Sequence, residues 1–346
     1  MKKFNFKRKY FAFPYAFLSV VFVVFPLLIM LYFAFTDFEG SFTFSNFWCF
    51  FTEADTQNVL WNSIGVAALA TLICLLLAYP LAYVLASSPF NKLTILVMMF
   101  VIPMWINSLL RIYAIRTLLE LLSIKRGWFA VLLGLVYDFF PFMLLPIYTS
   151  LSNMDKSFIE ASHDLGANQV NTFTKVIFPL SVSGVISGIL MVFMPAVSTI
   201  GITEMLGDKS VYLFGNLIND YLGEFYTWRR IFVYYAYSYS DKHVYSVFYE
   251  ERRDDGRRCV MITSKCGKTI GWIFVSLMLV FVYAPIVILI VFSFSETKAI
   301  GNWEGLNWSL GLYAELFKSE DILEAVKNTF VLALISSTLS TIIGTV

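Results

Sequence analysis

The residues able to do chemistry fall in three places. The first is a polar stretch, "EASHDLGANQVNTFTKVIFPL" (160–180), set between two long apolar runs and carrying Glu160, His163, Asp164, Gly166 and Pro179. The second is a small set within or beside apolar runs: the acids Asp138 and Glu204, with Trp105. Acids in a membrane are costly and usually functional, so Asp138 and Glu204 are candidate substrate-pathway residues, with an interfacial position as the alternative, and Trp105 is a third candidate. The third is "CGKT" (266–269), which has the look of the end of a phosphate loop. Four residues separate the two glycines of such a loop, and Ile262 stands where the first must be, so no nucleotide site is expected. His163 reads as a surface residue, with His243 the one other histidine. Cys49, Cys74, Cys259 and Cys266 have neither metal nor disulfide spacing. No catalytic group, cofactor or metal is expected.

The elements that must position these residues are apolar. Of 346 residues, 58% are hydrophobic and 14% charged, and the mean hydropathy is +0.72. Soluble domains carry roughly 25% charged residues, so a soluble fold is excluded. The net charge of +1 gives no reason to expect nucleic acid. Runs of spanning length cover 14–36, 63–86, 93–115, 128–151 and 182–206, then 270–294 and 329–346. Each is expected to be a helix, because only a helix satisfies its own backbone in lipid. The start, "MKKFNFKRKY", is basic and places the N-terminus in the cytoplasm. The first run is too long for a signal peptide and reads as an uncleaved span. Counting crossings puts 160–180 on the cytoplasmic side.

The chain also repeats itself. "FPLLIMLYFAFTDF" from Phe25 matches "APIVILIVFSFSET" from Ala284, each with a proline, Pro26 or Pro285, at its head. "NSIGVAALATLICLLLAYP" from Asn62 matches "NTFVLALISSTLSTIIGTV" from Asn328, in the same order. The residues after about 265 read as the start of a second unit, cut off in mid-span.

Within the polar stretch, "DKSFIEASHDLG" (155–166) predicts an amphipathic helix, with Phe158, Ile159, Ser162 and Leu165 at helical spacing and Gly166 just past its end. A helix outside the spans needs something to dock on. "EASHDLGA" followed by "IFPL" resembles the EAA motif of ABC-importer permeases; Glu160, Ala161, Gly166, Ile177 and Pro179 match, and Ser162 replaces an alanine. "AYPLAYVLA", "IPMWINSLLRIYAI", "LVYDFFPFMLLPIYTSL" and "MPAVSTIGITEMLGDKSVYLFGNLI" resemble the spermidine/putrescine permeases in particular. Residues 10–228 resemble a first permease subunit and 268–346 the start of a second. The resemblance implies a polytopic all-α helix bundle in the bacterial inner membrane. Its coupling loop, 155–180, would present Glu160, Ala161, Ser162, Asp164, Gly166, Ala167, Ile177 and Pro179 to a dimer of cytoplasmic ATPase subunits. The other implied partners are a second permease subunit and an extracytoplasmic substrate-binding protein.

The pattern breaks after Trp228. "RRIFVYYAYSYSDKHVYSVFYEERRDDGRRC" stands where a sixth span is needed, and Arg229, Arg230, Asp241, Lys242 and His243 interrupt it. Codons permitted for 229–252, read one nucleotide later, can spell an apolar run of spanning length. The expected organisation is therefore a first unit at 1–228 with five intact spans and a disrupted sixth, a frame-shifted junction at 229–265, and two spans of a truncated second unit at 266–346. A secondary transporter or channel without an ATPase, or a membrane protein that no longer transports, stays open as an alternative.

Overall fold

The computed structural model describes residues 17, 20–36, 41–87, 94–208, 211–223, 265–294 and 308–345. The expected junction lies outside these residues apart from Lys265, as do the basic N-terminus and His243. Every regular element among them is helical. A π-helical turn, Val20–Val24, leads into α1 (Phe25–Ala34), followed by α2 (Ser45–Thr52) and α3 (Ala54–Ala86). Next come α4 (Thr94–Val101), a 3₁₀ turn (Ile102–Trp105), α5 (Ser108–Leu121) and α6 (Trp128–Ser152). The polar stretch forms α7 (Lys156–Asp164) and α8 (Gln169–Thr172), which passes through a π turn (Phe173–Ile177) into α9 (Phe178–Val197). Then follow α10 (Gly201–Leu206), α11 (Phe214–Gly223), α12 (Lys265–Ser293), α13 (Gly311–Lys318) and α14 (Glu320–Thr345).

The core is a three-helix stack of α3, α6 and α9. Small residues let these helices approach: Ala67, Ala70, Cys74 and Ala78 on α3 are fully buried. On α9 a Cβ at Gly184 would stand 2.5 Å from the Ser150 Cβ and 2.7 Å from the Pro146 carbonyl oxygen, and one at Gly188 2.7 Å from the Met143 sulfur. Phe140, Leu135, Met143 and Ile147 of α6 fill the centre. Tyr79 on α3 and Ser181 on α9 share a hydrogen bond of 2.9 Å.

Several span boundaries differ from the sequence expectation. The run 93–115 is not one straight span: Ile95–Trp105 and Ser108–Leu121 meet at 97°. Pro103 lies in the 3₁₀ turn, and Asn107 caps the new helix by accepting from Leu109 N–H at 2.8 Å. The run 182–206 also divides. Its helix starts at Gln169, stops at Val197, and restarts as the short α10. Pro179 does not interrupt it, because the π turn shifts the hydrogen bonding so that Phe178 N–H reaches Phe173 O. The helices expected at 63–86 and 329–346 begin earlier, at Ala54 and Glu320, because their polar first turns are as helical as the apolar runs they lead into.

The late helices differ in packing. One of them, α12, lies along α5, α3 and α4 with Val275, Met278 and Val282 buried. Tyr137 donates to Val282 O at 3.0 Å, and Tyr283 to Met99 O at 2.8 Å. By contrast, α14 packs on α13, and no residue in its most apolar window is buried.

Local geometry recurs between the two ends of the chain. Thr43 N–H donates to Phe35 O and Ser309 N–H to Phe294 O, each at 2.8 Å. Thr43 Oγ1 then accepts from Ser45 N–H at 3.1 Å, and Ser309 Oγ from Gly311 N–H at 2.9 Å. An eight-residue helix follows in both places. A single extended residue comes next, Glu53 (φ −75, ψ 107) or Ser319 (φ −77, ψ 111), and then the long helix.

Candidate coupling loop and membrane-embedded charges

At one end of the stack α6 passes into α7, α7 into α8, and the chain returns through α9. Asp155 caps α7 by accepting from Ser157 N–H at 3.0 Å. Its other end is a Schellman closure: Gly166 N–H donates to His163 O at 2.9 Å and Ala167 N–H to Ser162 O at 3.0 Å. Gly166 has φ +77, the left-handed conformation that this closure requires and that side chains other than glycine resist. Asn168 then caps α8 by accepting from Asn171 N–H at 2.8 Å.

One side of α7 is held to the bundle. Ile159 and Ser162 are buried, and the Ser162 hydroxyl meets Thr172 Oγ1 at 2.9 Å. Ile177 is buried behind them and Ala167 is half-buried. The other side is open: Glu160, Ala161, His163, Asp164 and Gly166 are exposed, and Pro179 is exposed at the head of α9. Phe158 and Leu165 do not join the inner face as helical spacing predicts; they are 53% and 89% exposed. The helix has only nine residues, and its last turn swings Leu165 outward into the closure. The loop therefore offers two exposed apolar side chains beside Glu160 and Asp164.

Of the pathway candidates, Asp138 is buried in α6 and faces Arg111 of α5. Arg111 Nη2 lies 2.9 Å from Asp138 Oδ1, and Nη1 donates to the Asp138 backbone carbonyl at 3.2 Å. Arg111 Nε and Asp138 Oδ1 have no hydrogen-bond partner among the described residues, so the contact with the carboxylate is an ion pair by distance and the hydrogen bond runs to the backbone carbonyl. Each charge alone costs about 2.5–3.5 kcal/mol to place mid-membrane, so the two are tolerable because they meet. Arg111 was not singled out from the sequence. Its signal is a lone cation inside an apolar run, but the partner lies 27 residues away across a bend. Glu204 is exposed on α10 and accepts from Asn219 at 3.3 Å. Trp105 is 84% exposed at the elbow between α4 and α5. The three candidates are not gathered into one site.

A further feature was missed. At the end of the stack opposite α7, a cavity of about 540 Å³ is lined by Glu53, Asp55, Asn58, Asn62, Trp128 and Tyr212 among others. Tyr212 donates to Asp220 at 2.6 Å. Glu53 and Asp55 are two residues apart in the sequence, but Trp128 and Tyr212, which line the cavity with them, lie far along the chain.

Residues 77–240 match the family model of the binding-protein-dependent transport system inner membrane component. The spermidine/putrescine transport system permease protein PotB of Haemophilus influenzae is 34% identical over 224 residues, covering 58% of this chain and 78% of its own length. The chain belongs to this permease family. The Escherichia coli K12 PotB is 36% identical over 177 residues, covering 46% of this chain and 64% of its own length. A PotB homolog of Mycoplasma genitalium is 28% identical over 218 residues, 59% of this chain and 76% of its own length. The permease is thus a multi-pass membrane protein. The family match takes in the whole of the loop 155–180 and the Arg111–Asp138 pair, and extends past Trp228 to residue 240.

Proposed function

We propose that the permease is the membrane component of an ATP-driven polyamine importer, with its N-terminus and α7 in the cytoplasm. The observation that carries this is the exposed, doubly capped α7, held by Ser162 to Thr172 beside the π turn that leads into α9, within the family match. A cytoplasmic ATPase subunit docks on Phe158, Glu160, Asp164 and Leu165. Nucleotide-driven movement of α7 tilts the core helices and alternates access between the two faces. A substrate-binding protein delivers cargo to the opposite face. There the cavity with Glu53, Asp55, Trp128 and Tyr212 offers carboxylates and aromatic faces, which suit an alkylammonium chain. The named substrates of the PotB relatives support spermidine and putrescine as cargo.

The recurring local geometry supports reading 266–346 as the beginning of a second permease unit, joined to the first through the frame-shifted stretch 229–265. Sequencing the DNA across codons 225–262 tests the shift. For coupling, Glu160→Lys and Gly166→Pro are the decisive changes. Both variants should insert in the membrane at wild-type levels, lose ATPase co-purification and lose spermidine uptake by tenfold or more. Normal uptake and normal ATPase capture in both would overturn the coupling role.

A further inference from the structure

Arg111 and Asp138 join two parts of the bundle that no continuous helix connects. Arg111 lies in the first turn of α5, four residues past the cap at Asn107, on the arm that leaves the 97° elbow. Asp138 lies ten residues into α6, and α6 continues to Ser152, at the door of α7. The guanidinium touches both the carboxylate and the main-chain carbonyl of residue 138, so it grips the helix itself as well as a side chain. Another link between the elbowed span and α6, the Phe100–Phe140 ring pair at 6.4 Å, is apolar and less directional than an ion pair. The ion pair cannot slide, because a displaced partner would meet lipid or apolar protein.

We propose that the Arg111–Asp138 pair is a pin that makes the elbowed span and α6 move as one body, and that Arg111 is a positioning residue for transport. This rests on the coupling role of α7. A displacement at α7 enters α6 directly, crosses the pin to α5, and reaches α10, which packs against α5 and α6. There Leu206 O accepts from Gly127 N–H at 3.0 Å, at the head of α6. The pin thus carries motion of α6 sideways into the elbowed span.

The test uses the full chain, with the reading frame of 229–265 restored, produced with the ATPase, second permease subunit and binding protein of its transport system. Removing one charge strands the other and threatens folding, so Arg111→Met/Asp138→Leu is the informative variant, with Arg111→Lys and the swap Arg111→Asp/Asp138→Arg beside it. The double-neutral variant should reach the membrane within about twofold of wild type yet lose spermidine uptake at least tenfold. Arg111→Lys keeps the charge without the fork and should lose severalfold, and the swap should regain most of the uptake. Uptake by the double-neutral variant at the wild-type level would overturn the pin and leave the pair purely structural. A second readout is independent of uptake. In a background with the four native cysteines replaced, a Ser108→Cys reporter on the elbow should change its thiol-labelling rate severalfold in the double-neutral variant or in Arg111→Lys, and recover in the swap. Unchanged labelling in both also overturns the pin. A frame-restored chain without further substitutions that fails to take up spermidine, with labelling that behaves as expected, would refute the transport reading and leave the pin standing.

Discussion

Ser162 shows how a small departure from a motif is absorbed. Where the resemblance has alanine, its hydroxyl is buried and bonds Thr172 Oγ1 at 2.9 Å and Ile159 O at 2.8 Å. Ser162→Ala alone leaves the Thr172 hydroxyl short of a partner and should cost about 1 kcal/mol, while Ser162→Ala with Thr172→Val should cost less than the sum of the two singles. Thermal-aggregation midpoints of detergent-solubilised protein measure this cycle, and strict additivity would refute the pairing. Gly166 is legible from sequence because a glycine just past a periodic segment has one common use, the left-handed closure. Phe158 and Leu165 mislead for a related reason. Periodicity places apolar residues on a common face, but it cannot distinguish a face turned to the bundle from a patch presented outward. Arg111 is visible as an unusual residue, yet nothing local names Asp138 as its partner.

At the level of elements, hydropathy locates apolar helices well and is blind to their direction. The elbow between α4 and α5 has the same apolar content as a straight span, and only Pro103 with the Asn107 cap hints at the bend. Likewise the π turn before Pro179 leaves no compositional trace. The tight seam is more readable, since glycines in an apolar helix invite close packing. Gly184→Val should therefore remove the protein from the membrane fraction, because the new side chain meets Ser150 and the Pro146 carbonyl at once, an overpacking cost of about 1–3 kcal/mol or more. Gly65→Ala, on α3 with nothing within 4 Å of the added carbon, should be neutral or raise stability by up to about 1 kcal/mol. Quantitative membrane immunoblots and melting midpoints decide both, and equal effects at the two glycines would contradict the seam.

For the whole molecule, the repeat has an uneven outcome. The small residues that bury α3, Ala67, Ala70 and Cys74, stand opposite Ala333, Ser336 and Ser340 when Asn62 is aligned with Asn328. The first set is packed under α6 and α9, whereas no residue in the apolar window of α14 is buried. The first helix after the junction, α12, instead lies against the first unit. Cysteines at Met99 and Tyr283 should join through a short thiol cross-linker, while a tryptophan introduced at Leu332 should be quenched by brominated lipid chains. Failure of the first, or protection of the second, would show a different arrangement of the late helices.

The glycine seam between α6 and α9 also determines what kind of machine part the loop is. Gly184 sits against Ser150 and Gly188 against Met143, so the two helices that enter and leave the loop are clasped just where it begins. A hairpin clasped at its root cannot open like scissors. A push on its tip is converted into rotation of the whole stem, and the length of that stem sets the leverage. Under the proposed coupling role, a small displacement at the tip of the loop would then produce a larger stroke at the far end of the stem.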